Sequence, residues 1–188
     1  MKYIIPIIIL SFVLLSCSKE ESEEETITEL EGTWKTDCYT ISDNTSWIDT
    51  LIIAGNSITG NFEKHSDTSC ATDYSTEGFN WTFSIGDAVT FANGKTGHEF
   101  TVTIGSTYKL TPQSPSAVSA FNSSSECSKT DWVKDTEKEC STGTDEGKAL
   151  LCLYQLDGNT WYPKCDEDAY PSTSDIDTDD ASNTFTKQ

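Results

Sequence analysis

Cys152 and Cys165 stand symmetrically about the dipeptide Gly158–Asn159. That symmetry constrains the fold of the chain more than any other feature. With Gly158 and Asn159 as a two-residue hairpin turn, Asp157 faces Thr160 as a hydrogen-bonded pair. Moving outward, Leu156 faces Trp161, Tyr154 faces Pro163 and Cys152 faces Cys165, all at non-hydrogen-bonded positions. Cα atoms at such positions lie about 4.5 Å apart, within disulfide reach. Their N–H groups point away from the partner strand, which suits a proline at 163. The spacing predicts a β-hairpin closed by a Cys152–Cys165 bridge.

Other segments carry the same β signature. Phe79, Trp81, Phe83 and Ile85 alternate with Asn80, Thr82 and Ser84, a period of two with one apolar face. Phe100, Val102 and Ile104 alternate with Thr101, Thr103 and Gly105. Ile48 to Ala54 reads as a further strand, turning at Gly55–Asn56 into another over Ile58 to Glu63. Ala88 to Phe91 reads as a fifth, ended by Asn93–Gly94. Short strands joined by Gly and Asn turns indicate an all-β antiparallel barrel or sandwich. Thr111 to Thr144 breaks the pattern with Pro112, Pro115, many serines and two cysteines. A short helix is expected there over about Thr130 to Glu139, capped by Thr130 or Asp131. The insert is expected to lie across the barrel as a disulfide-pinned loop.

The N-terminus carries a separate message. After Met1, Lys2 and Tyr3, an apolar run from Ile4 to Leu15 is interrupted only by Pro6 and Ser11. The run has the length of a signal-peptide core and is too short to span a bilayer. It ends in Leu14, Leu15, Ser16, Cys17, which resembles the bacterial lipobox. The resemblance implies a signal peptide over residues 1–16, cleavage before Cys17, and acyl chains such as palmitate on that cysteine. Each buried methylene contributes ~0.8 kcal/mol, and two or more chains anchor stably where one does not. Ser18 to Glu25 is dense in glutamate. A block of like charges self-repels, so residues 17–29 read as an acidic tether. The block is also similar to the acidic export signal of surface lipoproteins in Bacteroidetes-type bacteria. The expected location is the cell envelope, as an outer-membrane lipoprotein, with the surface-facing side left open.

Setting Cys17 aside leaves Cys38, Cys70, Cys127, Cys140, Cys152 and Cys165. An even set in an exported domain reads as three disulfides. Cys127 with Cys140 is the local pairing, which leaves Cys38 with Cys70. No two cysteines have CxxC spacing and there are only two histidines, so a zinc site is not expected. The formal net charge is −19, and arginine is absent. Such a chain is a poor partner for nucleic acid, whose phosphates need cations. It is also repelled by anionic lipid, so the acyl group on Cys17 must do the anchoring. Residues 30–188 suffice for one domain with a sizeable core, and a monomer is expected.

Leu30, Glu31, Gly32, Thr33, Trp34 opens the domain. Gly-x-Trp at the start of a first strand resembles the lipocalin signature, in which the tryptophan closes the barrel base; an ordinary core tryptophan is the plainer reading. The wider set of Gly32, Trp34, Cys38, Asp67, Cys70, Asn122, Cys127 and Trp132 resembles a family of bacterial lipoproteins with a lipocalin-like, calycin-type domain. A more distant likeness is to the animal Wnt-antagonist membrane proteins down-regulated by the adenomatous polyposis coli pathway. The tail is similar as well, with Leu153 to Tyr162, Pro171 to Asp175 and Phe185 to Gln188. Ser128 departs from the pattern, since a glycine commonly follows that cysteine. The resemblance implies an up-and-down barrel and no settled reaction. The animal relatives are thought to hold lipid in a barrel pocket.

Catalytic signatures are absent from the pattern. His65 and His98 read as surface histidines, and no phosphate loop or HExxH occurs. Asp175, Asp177, Asp179 and Asp180 invite a calcium reading. An EF-hand loop starting at Asp175 would need glycine at position 180 and glutamate at 186, where Asp180 and Thr186 stand. A looser surface calcium site involving Asp166, Glu167 and Asp168 stays open beside a solvated acidic loop. The chain has five tryptophans and eight phenylalanines. In a barrel of about eight strands such residues either fill the interior or line one small-ligand cavity. Trp34, Phe79, Trp81, Phe83 and Phe100 are the candidates for closing the barrel or lining that pocket. The function expected is non-catalytic binding of a small apolar molecule, with no cofactor and no metal. The alternative is a structural or adhesive surface protein with a filled barrel.

Overall fold

A computed structural model describes residues 29–188 except Asp43, Asp175, Asp177 and Asp179. The expected signal peptide, Cys17, the acidic stretch before Glu29 and most of the aspartate run at 175–180 lie outside the described residues.

The chain is all-β, in the order β1 (Gly32–Thr36), β2 (Tyr39–Ser42), β3 (Thr45–Ala54), β4 (Ser57–His65), β5 (Asp73–Thr90), β6 (Thr96–Thr103), β7 (Thr107–Pro112), helix α1 (Pro115–Ser124), β8 (Lys138–Ser141), β9 (Ala149–Asp157), β10 (Thr160–Asp166) and β11 (Phe185–Lys187). β1 pairs with β3, and the ladder runs through β4, β5, β6, β9, β10 and β11 back to β1. Every pairing is antiparallel, and the eight strands close into a barrel. Closure removes the unpaired edges that an open sheet would present.

The remaining three strands raise one side of the wall. β2 lies beside the first half of β3. β7 continues the line of β6 along the first half of β5, and β8 pairs with β7. The end opposite this extension holds both entry and exit of the chain. There Gln188 N–H donates to the Thr33 carbonyl at 2.9 Å, and the Gly55 N–H donates to Glu31 at 2.6 Å. We call this end the base and the extended end the top.

The β9–β10 hairpin has the register that its spacing dictates. Thr160 faces Asp157, Pro163 faces Tyr154, and Cys165 faces Cys152, with Cα atoms 4.0 Å apart across the bridge. The other bridges are Cys38–Cys70 and Cys127–Cys140.

Three expectations need correction. The fifth strand is not separate: Ala88 to Thr90 completes β5, which passes a bulge between Ile85 and Ala88 instead of turning. The helix lies at Pro115–Ser124, not Thr130–Glu139. Ser114 caps it by accepting from the Ala117 N–H, Pro115 sits in the first turn, and Ser125 ends it at φ 55°. Tertiary partners claim the later segment. The Asn122 side chain bonds both the N–H and the carbonyl of Trp132, at 2.7 and 3.1 Å, and Lys138 and Glu139 pair with β7. Finally, His65 is not a surface residue. It ends β4 and is buried, with Nδ1 3.4 Å from Asp73, while His98 is half-buried and stacks on Tyr154.

Candidate ligand site above the barrel core

Strand alternation sends Trp34, Phe79, Trp81, Phe83 and Phe100 to the inside, where all five join one cluster with Ile53, Ile58, Tyr154, Trp161 and Phe185. Trp34 lies at the base: its ring is buried, and its Nε1–H donates to the Leu30 carbonyl at 2.6 Å. Trp161 sits at the centre, 5.7 Å from Trp34, 6.1 Å from Phe100 and 5.3 Å from Phe185. Aromatic pairs of this kind contribute about 0.5–1.5 kcal/mol each beyond the area they bury. The lower interior is a packed aromatic core.

The inner face changes character towards the top. Reading across β3, β4, β5 and β7, the lowest row is Leu51, Gly60, Phe79 and Tyr108. The middle row is Asp49, Phe62, Glu77 and Leu110, and the rim row is Trp47, Lys64, Ser75 and Pro112. Gly60 leaves the space that the Phe79 ring fills. Phe79 in turn stacks on Trp81 at 4.0 Å and meets Phe62 edge-on at 5.0 Å. Phe62, Trp81, Tyr108, Glu77, Trp47 and Lys64 are half-buried. A continuous aromatic surface therefore rises out of the core between two carboxylates.

Asp49 is the most constrained of these groups. It is 7% exposed. Its N–H donates to Thr36 Oγ1 at 2.9 Å and its Oδ2 accepts from the Tyr39 hydroxyl at 2.6 Å. Its Oδ1 is buried without a hydrogen-bond partner. Burial pushes the Asp49 carboxyl up to about 6; the Tyr39 bond acts against the rise and Glu63 adds to it. Burial, then Glu126 and Asp49, also raises Glu77. Tyr108 is raised by burial and then by Glu126 and Glu77, and Tyr39 by burial and its bond to Asp49. Among the described residues neither Asp49 nor Glu77 has an ion-pair partner. Lys95, Lys109, Lys138 and Lys148 pair instead with Asp157, Glu137, Asp131 and Asp145.

Two disulfide-pinned segments flank this face. On one side the insert folds back over β7 and β8. Leu110, Trp132 and Cys140 form a second small core against Phe121 and Cys127. Phe121 reaches Tyr74 at 6.2 Å, and the Tyr108 hydroxyl lies 3.5 Å from Cys127 Sγ. On the other side Cys38–Cys70 ties the β1–β2 connection to the loop before β5. Asp67 organises that loop, accepting from the N–H groups of Ser69 and Ala71 at 2.7 and 3.2 Å. Bonds from Thr72 and Ser69 hold its carboxyl well below the usual range. The Lys64 ammonium lies over the Trp47 and Tyr74 rings at the rim, at 5.4 and 5.2 Å.

Tyr39, Asp49, Phe62 and Glu77 were not among the residues singled out from the sequence. The available signal was Asp49 itself, a carboxylate on the strand face that also carries Trp47, Leu51 and Ile53. Of the calcium candidates, Asp166, Glu167 and Asp168 are exposed. Asp180 instead caps a short 3₁₀ turn, accepting from Ser182 and Asn183. Asp175, Asp177 and Asp179 lie outside the described residues. No protein-family model matches the chain, and no curated protein matches it.

Proposed function

We propose that this protein is a non-catalytic, lipocalin-like binding lipoprotein, held to a membrane through acylated Cys17, that takes a small apolar molecule into the top of its barrel. One observation carries the binding reading: above Trp81 and the buried Phe79, the aromatic surface continues through Phe62 and Tyr108, which stay half-buried. Apolar surface at a barrel mouth, with a few polar groups converging on it, is what a small-ligand site offers. The anchor fits this arrangement. The tether joins the domain at the base, beside the buried Leu30 and Trp34. Residues 17–29, fully extended, reach roughly 45 Å. The top of the barrel can then face away from the membrane.

The packed lower interior favours a second reading, a structural surface protein whose barrel is filled. Native mass spectrometry of the full-length lipoprotein, released from detergent micelles, separates the two. The binding reading expects one co-purified small molecule per chain, lost when Phe62 is replaced by alanine. A bare chain that also takes up none of a panel of added apolar molecules would leave only the structural reading.

A further inference from the structure

We infer that the occupant of the top site carries an organic cation: an ammonium group on an apolar body, seated over Phe62 between Asp49 and Glu77. This rests on the binding reading above and names its ligand class. Asp49, Phe62 and Glu77 face one another across three adjacent strands. Neighbouring strands lie about 4.8 Å apart, so the two carboxylate-bearing backbones are roughly 10 Å apart with one aromatic ring between them. That span matches an ammonium group bonded to one carboxylate and attracted by the other across the ring face.

The charge around the site points the same way. Asp49 accepts from the Tyr39 hydroxyl of β2 and feels the charge of Glu63 on β4; Glu77 on β5 feels the charges of Asp49 and of Glu126 on the insert. The charged groups among these are all carboxylates. The one ammonium on the adjacent row, Lys64, is held over Trp47 and Tyr74 at the rim. A buried carboxylate oxygen without a partner is costly. Asp49 Oδ1 is such an atom, and a cationic donor reaching it would satisfy it. An apolar body attached to that cation has Phe79, Trp81 and Tyr108 beneath it.

Isothermal titration calorimetry on the full-length lipoprotein in non-ionic detergent at pH 7.5 tests this with three probes: phenethylammonium, neutral 2-phenylethanol and anionic laurate. The expected result is that phenethylammonium binds about tenfold or more tighter than 2-phenylethanol, the factor that one charge-assisted bond supplies. Glu77→Gln, at a half-buried position, should lower cation affinity by a similar factor and leave 2-phenylethanol unchanged. Asp49→Asn, which keeps a partner for Tyr39, should do the same. Equal binding of the alcohol and the cation, tighter binding of laurate, or no effect of Glu77→Gln would overturn the cation assignment while the apolar-binding reading stands. Failure of all three probes to bind would overturn both.

Discussion

The ring of Phe79 occupies the space that a side chain at Gly60 would need. These residues face each other across β4 and β5, and a Cβ built on Gly60 would overlap the ring. Phe79 joins the core to the top site through its stack on Trp81 and its edge contact with Phe62. Gly60→Ala must push the ring aside. Overpacking of this kind costs typically 1–3 kcal/mol, so we expect a loss of about 2 kcal/mol in urea unfolding. The near-ultraviolet circular dichroism of the Phe79–Trp81 pair should change with it. A variant with unchanged stability and spectrum would show that the ring is not seated on Gly60.

Asp49 should make stability depend on pH in the direction opposite to most carboxylates. Its folded-state value is raised above its ordinary one, to about 6. The folded state therefore binds the proton more tightly than the unfolded state. The associated stability is present below the unfolded value near 4 and is lost as pH rises through about 6. A shift of about two units corresponds to roughly 3 kcal/mol. The flanking groups Tyr39, Glu63, Lys64 and Glu77 stay in place in Asp49→Asn, so comparison with that variant isolates the effect. The difference in unfolding free energy between the two proteins should change between pH 4 and 6 and be flat above 7. A difference that does not vary with pH contradicts the assignment.

The three bridges should not be equivalent. Cys38–Cys70 spans 32 residues, whereas Cys127–Cys140 and Cys152–Cys165 each span 13. Loop-closure entropy assigns about 4 kcal/mol to the first and about 3 kcal/mol to each of the others. Serine pairs replacing each bridge in turn, compared by urea midpoint, should place the Cys38–Cys70 loss as the largest. Peptide mapping without reduction should recover Cys152 linked to Cys165 alone.

Anchoring should depend on one thiol. Cys17→Ala should abolish acyl labelling and leave the precursor uncut, as the lipobox likeness implies. Acyl-dependent membrane attachment of this variant would contradict the anchor.

The antiparallel strands were legible in the sequence because alternation and turn chemistry are local, whereas the choice of a barrel over a sandwich came from the lipocalin likeness. Phe79 to Ile85 announces its own faces, and the Cys152–Cys165 spacing fixes a register without tertiary information. The insert was not legible. Thr130 to Glu139 carries helix-compatible residues, but Asn122 and β7 take its backbone partners, and those lie far along the chain. The top site was hidden for a related reason. Asp49, Phe62 and Glu77 share a row only through two strand pairings. Each is ordinary in its own segment; Asp49's place on an apolar strand face was the one local sign, and it has meaning only once the pairings bring Phe62 and Glu77 beside it.

Amide chemical-shift mapping of the full-length protein in micelles, during titration with phenethylammonium, tests whether a ligand site lies at the top of the barrel. Saturable shifts are expected at Asp49, Phe62, Glu77 and Tyr108, with Trp34, Trp161 and Phe185 of the lower core unmoved. Shifts centred on the base or scattered over the outer surface, or no shifts at all, would contradict that site.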